Sequence, residues 1–574
     1  MNTRNFTTET TSNVTVQTQF TPRKRFVVLT MLLVGFYFLM SAMVFGATIY
    51  IDPTYTGSTQ NGSQTNPYNS WTKFTINSGN TYLQKSGTNF NTSTGIAING
   101  KSNVILGTYG TGNRAKITST GSGNHIINIS SSASVTVKDL EITSSGNWVS
   151  GVAIQGTNAS NNQVNNCVIH HTQWGVRVIT TSAGNKILKS TINDTGDDGI
   201  YIKDASNIEI GFCTVFDVNK KYLVNPDQSY SSGDCIQMAS TNNLSFNIHD
   251  NILDHSSMGN KFCIIAWGNN YSGTIERNTL IGNASHNTSG IYLSATTKTV
   301  IVRYNMIKNA EYGIYAYART DAYYNAFANN RTGVSLQPSY TFTGRNNVFY
   351  NNTLYGVTSG TNTTLSLRNN IFNITGSAKA IKSGSSITSN NNVFNTQQSG
   401  FINNYASLSA WRNATGNDMN SVVGNPSFVN ASNQDFHLQS GSVAINKGAS
   451  VSLTKDYYGG TVPVAGAPDA GISEFNSGKS TEIVQGDSIV NGEKEMVVFP
   501  NPSVDGKFSI ALGKMYEKTD LQVYDMAGRL IKTKTEIQTA QGNLDLSTIP
   551  NGAYLIRVDT GGEKKTLKAI KNTL

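Results

Sequence analysis

The chain has 574 residues, among them 53 Gly and 26 Tyr but only 11 Pro, with charged residues at 13% and a visible excess of Asn, Ser and Thr. That balance points to one long β-rich body with an extended core. Part of the formal charge of +9 lies in Arg4, Arg23, Lys24 and Arg25 and in the Lys-rich last twenty residues. No basic stripe with interleaved aromatics runs through the middle, which excludes a nucleic-acid footprint.

Residues 1–47 read as an export segment. A basic run (Arg23 to Arg25) precedes an apolar stretch from Phe26 to Phe45, with the small residues Gly46 and Ala47 ahead of "TIYIDP". This is the order of a secretory signal, although the apolar stretch is also long enough to span a bilayer as a retained anchor.

Beyond it, short runs of glycine followed by alternating aliphatics recur: "SGVAI" at Gly151, "WGVRV" at Gly175, "DGIYI" at Gly199, "DCIQM" at Cys235, "FCIIA" at Cys263, "SGIYL" at Gly290 and "YGIYA" at Gly313. A second column keeps the same phase, from Asn166 through Ser190, Cys213, Asn251, Asn278, Asn305 and Asn325 to Asn392. Repeats of this length with two or three short strands predict a solenoid whose strands stack about 4.8 Å apart. Each coil would bury alternate aliphatics, and the recurring Asn would hydrogen-bond its copies above and below. The four cysteines lack CxxC spacing and sit in strand-like apolar runs, so buried free thiols are expected.

On these two columns residues 48–395 resemble the right-handed parallel β-helix repeat family, the pectate-lyase-like superfamily. The expected fold is all-β: a single-stranded right-handed parallel β-helix followed by a small C-terminal β-sandwich. Residues 396–475, "WRNATGNDMNSVVGNPSF" and "DYYGGTVPVAGAPDAGISEF" included, look like a C-terminal cap of the helix. After a polar linker at 476–495, "VVFPNPSVDGKFSI", "LQVYDMAGRLI" and "LSTIPNGAYLIRV" within residues 496–574 resemble the type IX secretion sorting domain. That resemblance implies a Bacteroidota-type cell, the type IX secretion machinery as a partner, and a protein that is secreted or held on the outer surface, expected to act as a monomer.

Inward positions of such a repeat are set by packing, so the site has to lie on the outward columns. The residue before each glycine reads Ser150, Trp174, Asp198, Asp234, Phe262, Ser289 and Tyr312. The next outward column reads Ala153, Arg177, Tyr201, Gln237, Ile265, Tyr292 and Tyr315, and the one after it Lys203, Ala239 and Trp267 among others. Asp197, Asp198 and Asp234 would thus meet on adjacent coils with Arg177, Tyr201, Gln237, Lys203, Trp267 and Tyr292 around them. His255 shares a turn position with Asp217 and is a candidate acid or base. Residues 218–232 form an insertion directly before the Asp234 coil, where they could wall a cleft.

Closely stacked carboxylates raise one another's pKa, and a cation is the natural remedy. Asp197, Asp198 and Asp234 are the expected Ca²⁺ ligands. "TGDDGIYI" resembles the Asp-Asp-Gly strand of family 9 pectate lyases, which implies calcium-assisted β-elimination on an acidic polysaccharide, with Lys203 or Lys261 as the base. The coil before it, "WGVRV", departs from that family in lacking an acidic partner. "GDDG" and "SGDC" also resemble polygalacturonase-type hydrolases, but Gly233 stands where those have a carboxylate and no "GHG" strand follows. A non-catalytic glycan-binding or adhesive β-helix is the remaining alternative, since fold alone gives no activity.

Overall fold

The computed structural model describes residues 46–476 and 496–571 apart from the stretches 124, 146–148, 182, 221–232, 258–260, 397, 465, 500–502, 504–505, 526–528 and 562–563. Residues 1–45 of the expected signal, 477–495 of the linker and most of the insertion lie outside the described residues. Thr48 through Asn395 wind as a parallel solenoid. Its strands form a 24-stranded sheet and, with Val422–Val423 added at the end, a 14-stranded one, and every pairing within both is parallel.

Each coil places two strands in the larger sheet and one in the smaller. The strands Ser289–Arg303 and Tyr312–Tyr323 run unbroken round the corner joining the two faces of the larger sheet. Strand periodicity sends Ile200 and Ile202 inward and Tyr201 and Lys203 outward. The inward set belongs to one core running from Ile51 to Trp411, and each fully buried Ile or Val contributes roughly 1.5–3 kcal/mol. Phe327, Phe349, Phe372 and Phe394 stack inside it with centroids 4.8–5.3 Å apart.

The glycine column has a steric origin. A Cβ on Gly151, Gly175, Gly290, Gly313 or Gly333 would lie 2.5–2.7 Å from the carbonyl oxygen of the next coil's glycine. The asparagine column is a continuous ladder. Nδ2 of Asn251 donates to Oδ1 of Asn278 (2.9 Å), and the bond repeats through Asn305, Asn325, Asn347 and Asn370 to Asn392. Its first member differs from expectation. Cys167, not Asn166, fills the slot, donating its backbone N–H to Ser190 Oγ. Asn166 is the left-handed residue before it (φ 52), turned out to bond Asp139 and Arg114. All four cysteines are buried free thiols.

Only part of residues 396–475 closes the end of the helix. The helix Leu408–Thr415 buries Leu408 and Trp411 there, and Asp418 with Ser421 terminates the ladder by bonding Asn392. Residues 428–475 instead fold back along the outside of the smaller sheet. Ala326, Ala328, Val348, Ile371 and Val393 give that sheet an apolar outer strip, which Phe436, Leu438 and Tyr458 cover. The C-terminal domain is a five-stranded antiparallel sheet. Its long strand Lys507–Asp525 contributes Phe508 and Ile510 from one end and Leu521 and Val523 from the other to a single core, so the strand doubles over as two layers.

Candidate active site

The predicted outward columns exist in the predicted register. Arg177 pairs with Tyr201, Tyr201 with Gln237, Gln237 with Ile265, Ile265 with Tyr292, and Tyr292 with Tyr315. Lys203 lies beside Ile179 and Ala239, and Trp267 beside Ala239, in the neighbouring column. Trp267 is 40% exposed, the most open large aromatic on this face.

Asp198 and Asp234 also occupy equivalent places on adjacent coils, but as a buried ladder. The backbone N–H of Asp234 donates to Asp198 Oδ1 at 2.9 Å, and that of Phe262 to Asp234 Oδ1 at 2.8 Å. Both residues are 1% exposed and Asp197 is 7% exposed. Burial, then the neighbouring Asp197 and Asp234 charges, push the Asp198 carboxyl well above the usual range, while its backbone hydrogen bond and Lys261 pull the other way. Burial lifts Asp234 to about 8 against the same kind of opposition from the Phe262 N–H and Lys261.

This arrangement does not fit the expected calcium site. Each of the two aspartates gives one oxygen to the next coil's backbone, and among the described residues no group of three or more His, Cys, Asp or Glu is placed to hold a metal ion. Lys261 is near enough to influence both carboxyls yet forms no ion pair with them.

His255 is corrected as well. It is 1% exposed, and its Nε2–H donates to the Gly233 carbonyl at 2.9 Å, so it braces the turn that carries Asp234 instead of facing the exterior. Gly233 itself packs on Asp197: a Cβ there would lie 2.3 Å from the Asp197 carbonyl oxygen. The carboxylate that a polygalacturonase-type site has at this place is thereby excluded sterically. The described ends of the insertion are fastened here too, with Asn219 N–H donating to the Asp197 carbonyl and Gly233 N–H to Asn219 Oδ1.

Arg177 is half-buried, its guanidinium 4.9 Å from the centroid of Trp174. Among the described residues it has no ion-pair partner, and its Nε is buried without a hydrogen bond. Desolvation lowers its pKa, and burial together with Asp198 raises that of Tyr201, so Tyr201 stays protonated. His125, which shows no clustered metal spacing in the sequence, belongs to the column as well. It pairs with Ser150, one coil before Trp174. Extending the Ser150–Trp174–Asp198 column back by one coil, to "HIINIS", would have found it.

On the other side of Asp234 the face is aromatic. Phe262 and Tyr292 are 4.8 Å apart, Tyr292 and Tyr315 5.7 Å, Tyr312 and Tyr315 4.8 Å, and Tyr315 and Tyr317 5.6 Å between centroids. These rings are half-buried. Apolar ring surface beside a hydroxyl suits a sugar, which has the same two characters.

Residues 497–572 match the family model for the secretion system C-terminal sorting domain, and residues 128–332 match the model described as periplasmic copper-binding protein (NosD). No curated protein matches the sequence. Among solved structures, the chain is similar to XylC in complex with xylose, at 9% identity over 74% of this chain and 99% of that one, with a TM-score of 0.39. It is similar to the lacto-N-biosidase of Eubacterium ramulus at 11% identity over 61% and 68%, with a TM-score of 0.36. A rhamnogalacturonan lyase matches at 14% identity over 60% and 87%, with a TM-score of 0.33. Stacked parallel coils followed by the sorting domain make this chain a parallel β-helix repeat protein that is secreted or displayed at the cell surface.

Proposed function

We propose that the outward face from Arg177 to Tyr315 binds a uronate-containing polysaccharide and cleaves it by β-elimination. One observation carries this reading: among the described residues Arg177 and Lys203 form no ion pair, and they share a face with Tyr201, Trp267 and Tyr292, while Asp198 and Asp234 beside them are buried. A face so arranged has a deficit of negative charge that an acidic glycan supplies, together with ring surfaces for its sugars.

Elimination requires a cation on the uronate carboxylate, a base for the C5 proton and an acid for the leaving oxygen. Arg177 supplies the first. Lys203 or Lys261, in its neutral amine form, accepts the C5 proton and becomes an ammonium, the C4–O bond breaks as the C4–C5 double bond forms, and Tyr201, held protonated, gives its proton to the departing oxygen. No step passes through a metal. The steric exclusion of a carboxylate at Gly233 weighs against inverting hydrolysis, which needs an acid and a base set apart by a water.

The test is incubation with pectate, alginate and glycosaminoglycans, with and without added calcium, following the ultraviolet absorbance of unsaturated uronate. Silence across the whole panel sinks the lyase reading, and reducing ends without unsaturation favour a hydrolase. A non-catalytic binder is the second reading, favoured by an aromatic run that continues to Tyr317 and Tyr340 with no acid–base group among them. It predicts glycan binding with no product of either kind.

A further inference from the structure

The outward face changes character at the coil of Phe262. Before it, the columns carry Arg177 and Lys203, and the Lys261 charge acts on the Asp198 and Asp234 carboxyls. From there on, one column runs Ile265, Tyr292, Tyr315, Ser335 and Thr358, and the column beside it opens with Phe262 and ends with Tyr355. Among the described residues neither column holds a charged side chain over these coils. Charge returns on the following coil with Lys379 and Lys382.

The charges at the borders of this stretch have other partners. Glu311 and Arg331 neutralise each other at 2.6 Å, and Arg319 lies past the corner, where its charge acts on Tyr323. The stretch itself is reachable from outside, because Ile265, Tyr292, Tyr315, Tyr355 and Thr358 are all only half-buried. With a coil rise of about 4.8 Å, it spans ~19 Å, the length of roughly four sugar rings. A uronate set there would lose hydration with no cation to replace it, and the rings would turn the negative face of their π-systems toward its carboxylate. An uncharged sugar meets the same rings with its C–H face and suffers neither penalty.

We propose that the substrate is a mixed polysaccharide and not an unbroken chain of uronates: a uronosyl unit lies at Arg177 and Tyr201, and a run of uncharged sugars follows it along the helix axis over the stretch from Ile265 to Thr358. Arg177 brings planar paired N–H donors and a fixed charge, the combination that suits a carboxylate, and the uncharged columns offer nothing equivalent. This inference rests on the uronate reading above and narrows its substrate class.

The test uses the full chain and matched hexasaccharides made from galacturonate, mannuronate, guluronate and glucuronate oligomers. Each backbone is prepared with every carboxylate intact, or with a single carboxylate at one end or the other and the rest reduced to the neutral hexose. Binding is followed by calorimetry. In at least one backbone a single-acid form is expected to bind about tenfold or more tighter than the all-acid form. Tyr315→Lys, which sets a cation in the middle of the stretch, should raise affinity for the all-acid form and narrow that difference, and Tyr292→Lys is the second variant should the first melt early. Equal or tighter binding of the all-acid form, no binding of any form, or a preference unchanged in the folded lysine variants overturns the inference. The two readings fail separately. Unsaturated product with no preference for the single-acid form removes the inference and keeps the lyase. Preference for the single-acid form without product from any chain keeps the inference and removes the lyase.

Discussion

Asp198 Oδ1 accepts the backbone N–H of Asp234 at 2.9 Å, and Asp234 repeats the bond to Phe262 at 2.8 Å, so two adjacent carboxyls act as rungs between three coils. An uncharged side chain with the same acceptor could do this equally well, and burial already drives both groups toward the protonated form. Asp234 titrates near 4 when unfolded and at about 8 when folded, so between those values the folded state binds more protons than the unfolded. Stability from this group is therefore complete below pH ~4 and is lost as pH rises through the window toward 8. Asp234→Asn should melt close to wild type at pH 4 and increasingly above it toward pH 8, by an amount on the order of a few kcal/mol. A melting difference that shrinks as pH rises would contradict the assignment.

Chelation follows from the same rungs. With one oxygen of each aspartate bound to the backbone and no group of three ligating side chains among the described residues, stability should not depend on calcium. Melting temperature and glycan affinity are expected to be unchanged by a chelator. A drop of more than a few degrees on chelation, restored by calcium, would put a cation back at the aspartates.

Gly233 tests why the hydrolase pattern is incomplete. A Cβ would meet the Asp197 carbonyl oxygen at 2.3 Å and its carbon at 2.6 Å. Both contacts are backbone, so the strain cannot be relieved by a rotamer change. Gly233→Ala should cost about 2–4 kcal/mol and Gly233→Asp at least as much, read by chemical denaturation. Wild-type stability in Gly233→Ala would show that the turn can shift.

The two repeat columns made the coil architecture and the register of the outward face legible, because glycine and asparagine recur for reasons internal to each coil. The register then placed Arg177, Tyr201, Gln237 and Tyr292 correctly from residue spacing alone. What spacing does not carry is the rotation of a side chain at a corner. Asp198 and Asp234 were on the right columns, yet they turn onto the next coil's backbone, as the asparagines do in their own column. His255 shows the same limit: its turn position was visible, but its inward contact with Gly233 was not. The fold-back of residues 428–475 was hidden for another reason. Ala326, Val348 and Ile371 look like ordinary strand residues until the outer face of the smaller sheet is known to be covered.

The asparagine ladder should be stiff in its middle. Asn305 Nδ2 donates to Asn325 Oδ1 and to the carbonyls of Ile275 and Arg303, while its own Oδ1 receives the backbone and side-chain donors of Asn278. Asn305→Ala leaves several buried backbone and side-chain groups unpaired at once, and Asn305→Asp loses the donors and buries a charge. Expected losses are about 2–4 kcal/mol for alanine and more for aspartate at neutral pH, with the aspartate variant recovering part of its loss on acidification. Equal stability of the aspartate variant at pH 4 and pH 8 would argue against a fully buried rung.

The tyrosine run separates substrate holding from chemistry. Tyr292 and Tyr315 stack at 5.7 Å with a 22° tilt, both half-buried, and they lie beyond Asp234 on the side away from Arg177. The two rings are one coil apart, and the coil rise of about 4.8 Å is comparable to the length of one sugar ring, so a chain running along the helix axis could set two neighbouring sugars on these two tyrosines. Removing either ring removes contact surface common to ground and transition states, which raises KM and leaves kcat nearly unchanged. Tyr315→Ala is expected to weaken binding of oligosaccharides long enough to reach it by about five- to thirtyfold, as deletion of a ring contact worth ~1–2 kcal/mol would. Short substrates confined to the Arg177–Tyr201 region should be unaffected. A loss of the same size for short and long substrates would mean that Tyr315 supports the fold of the face and not the glycan.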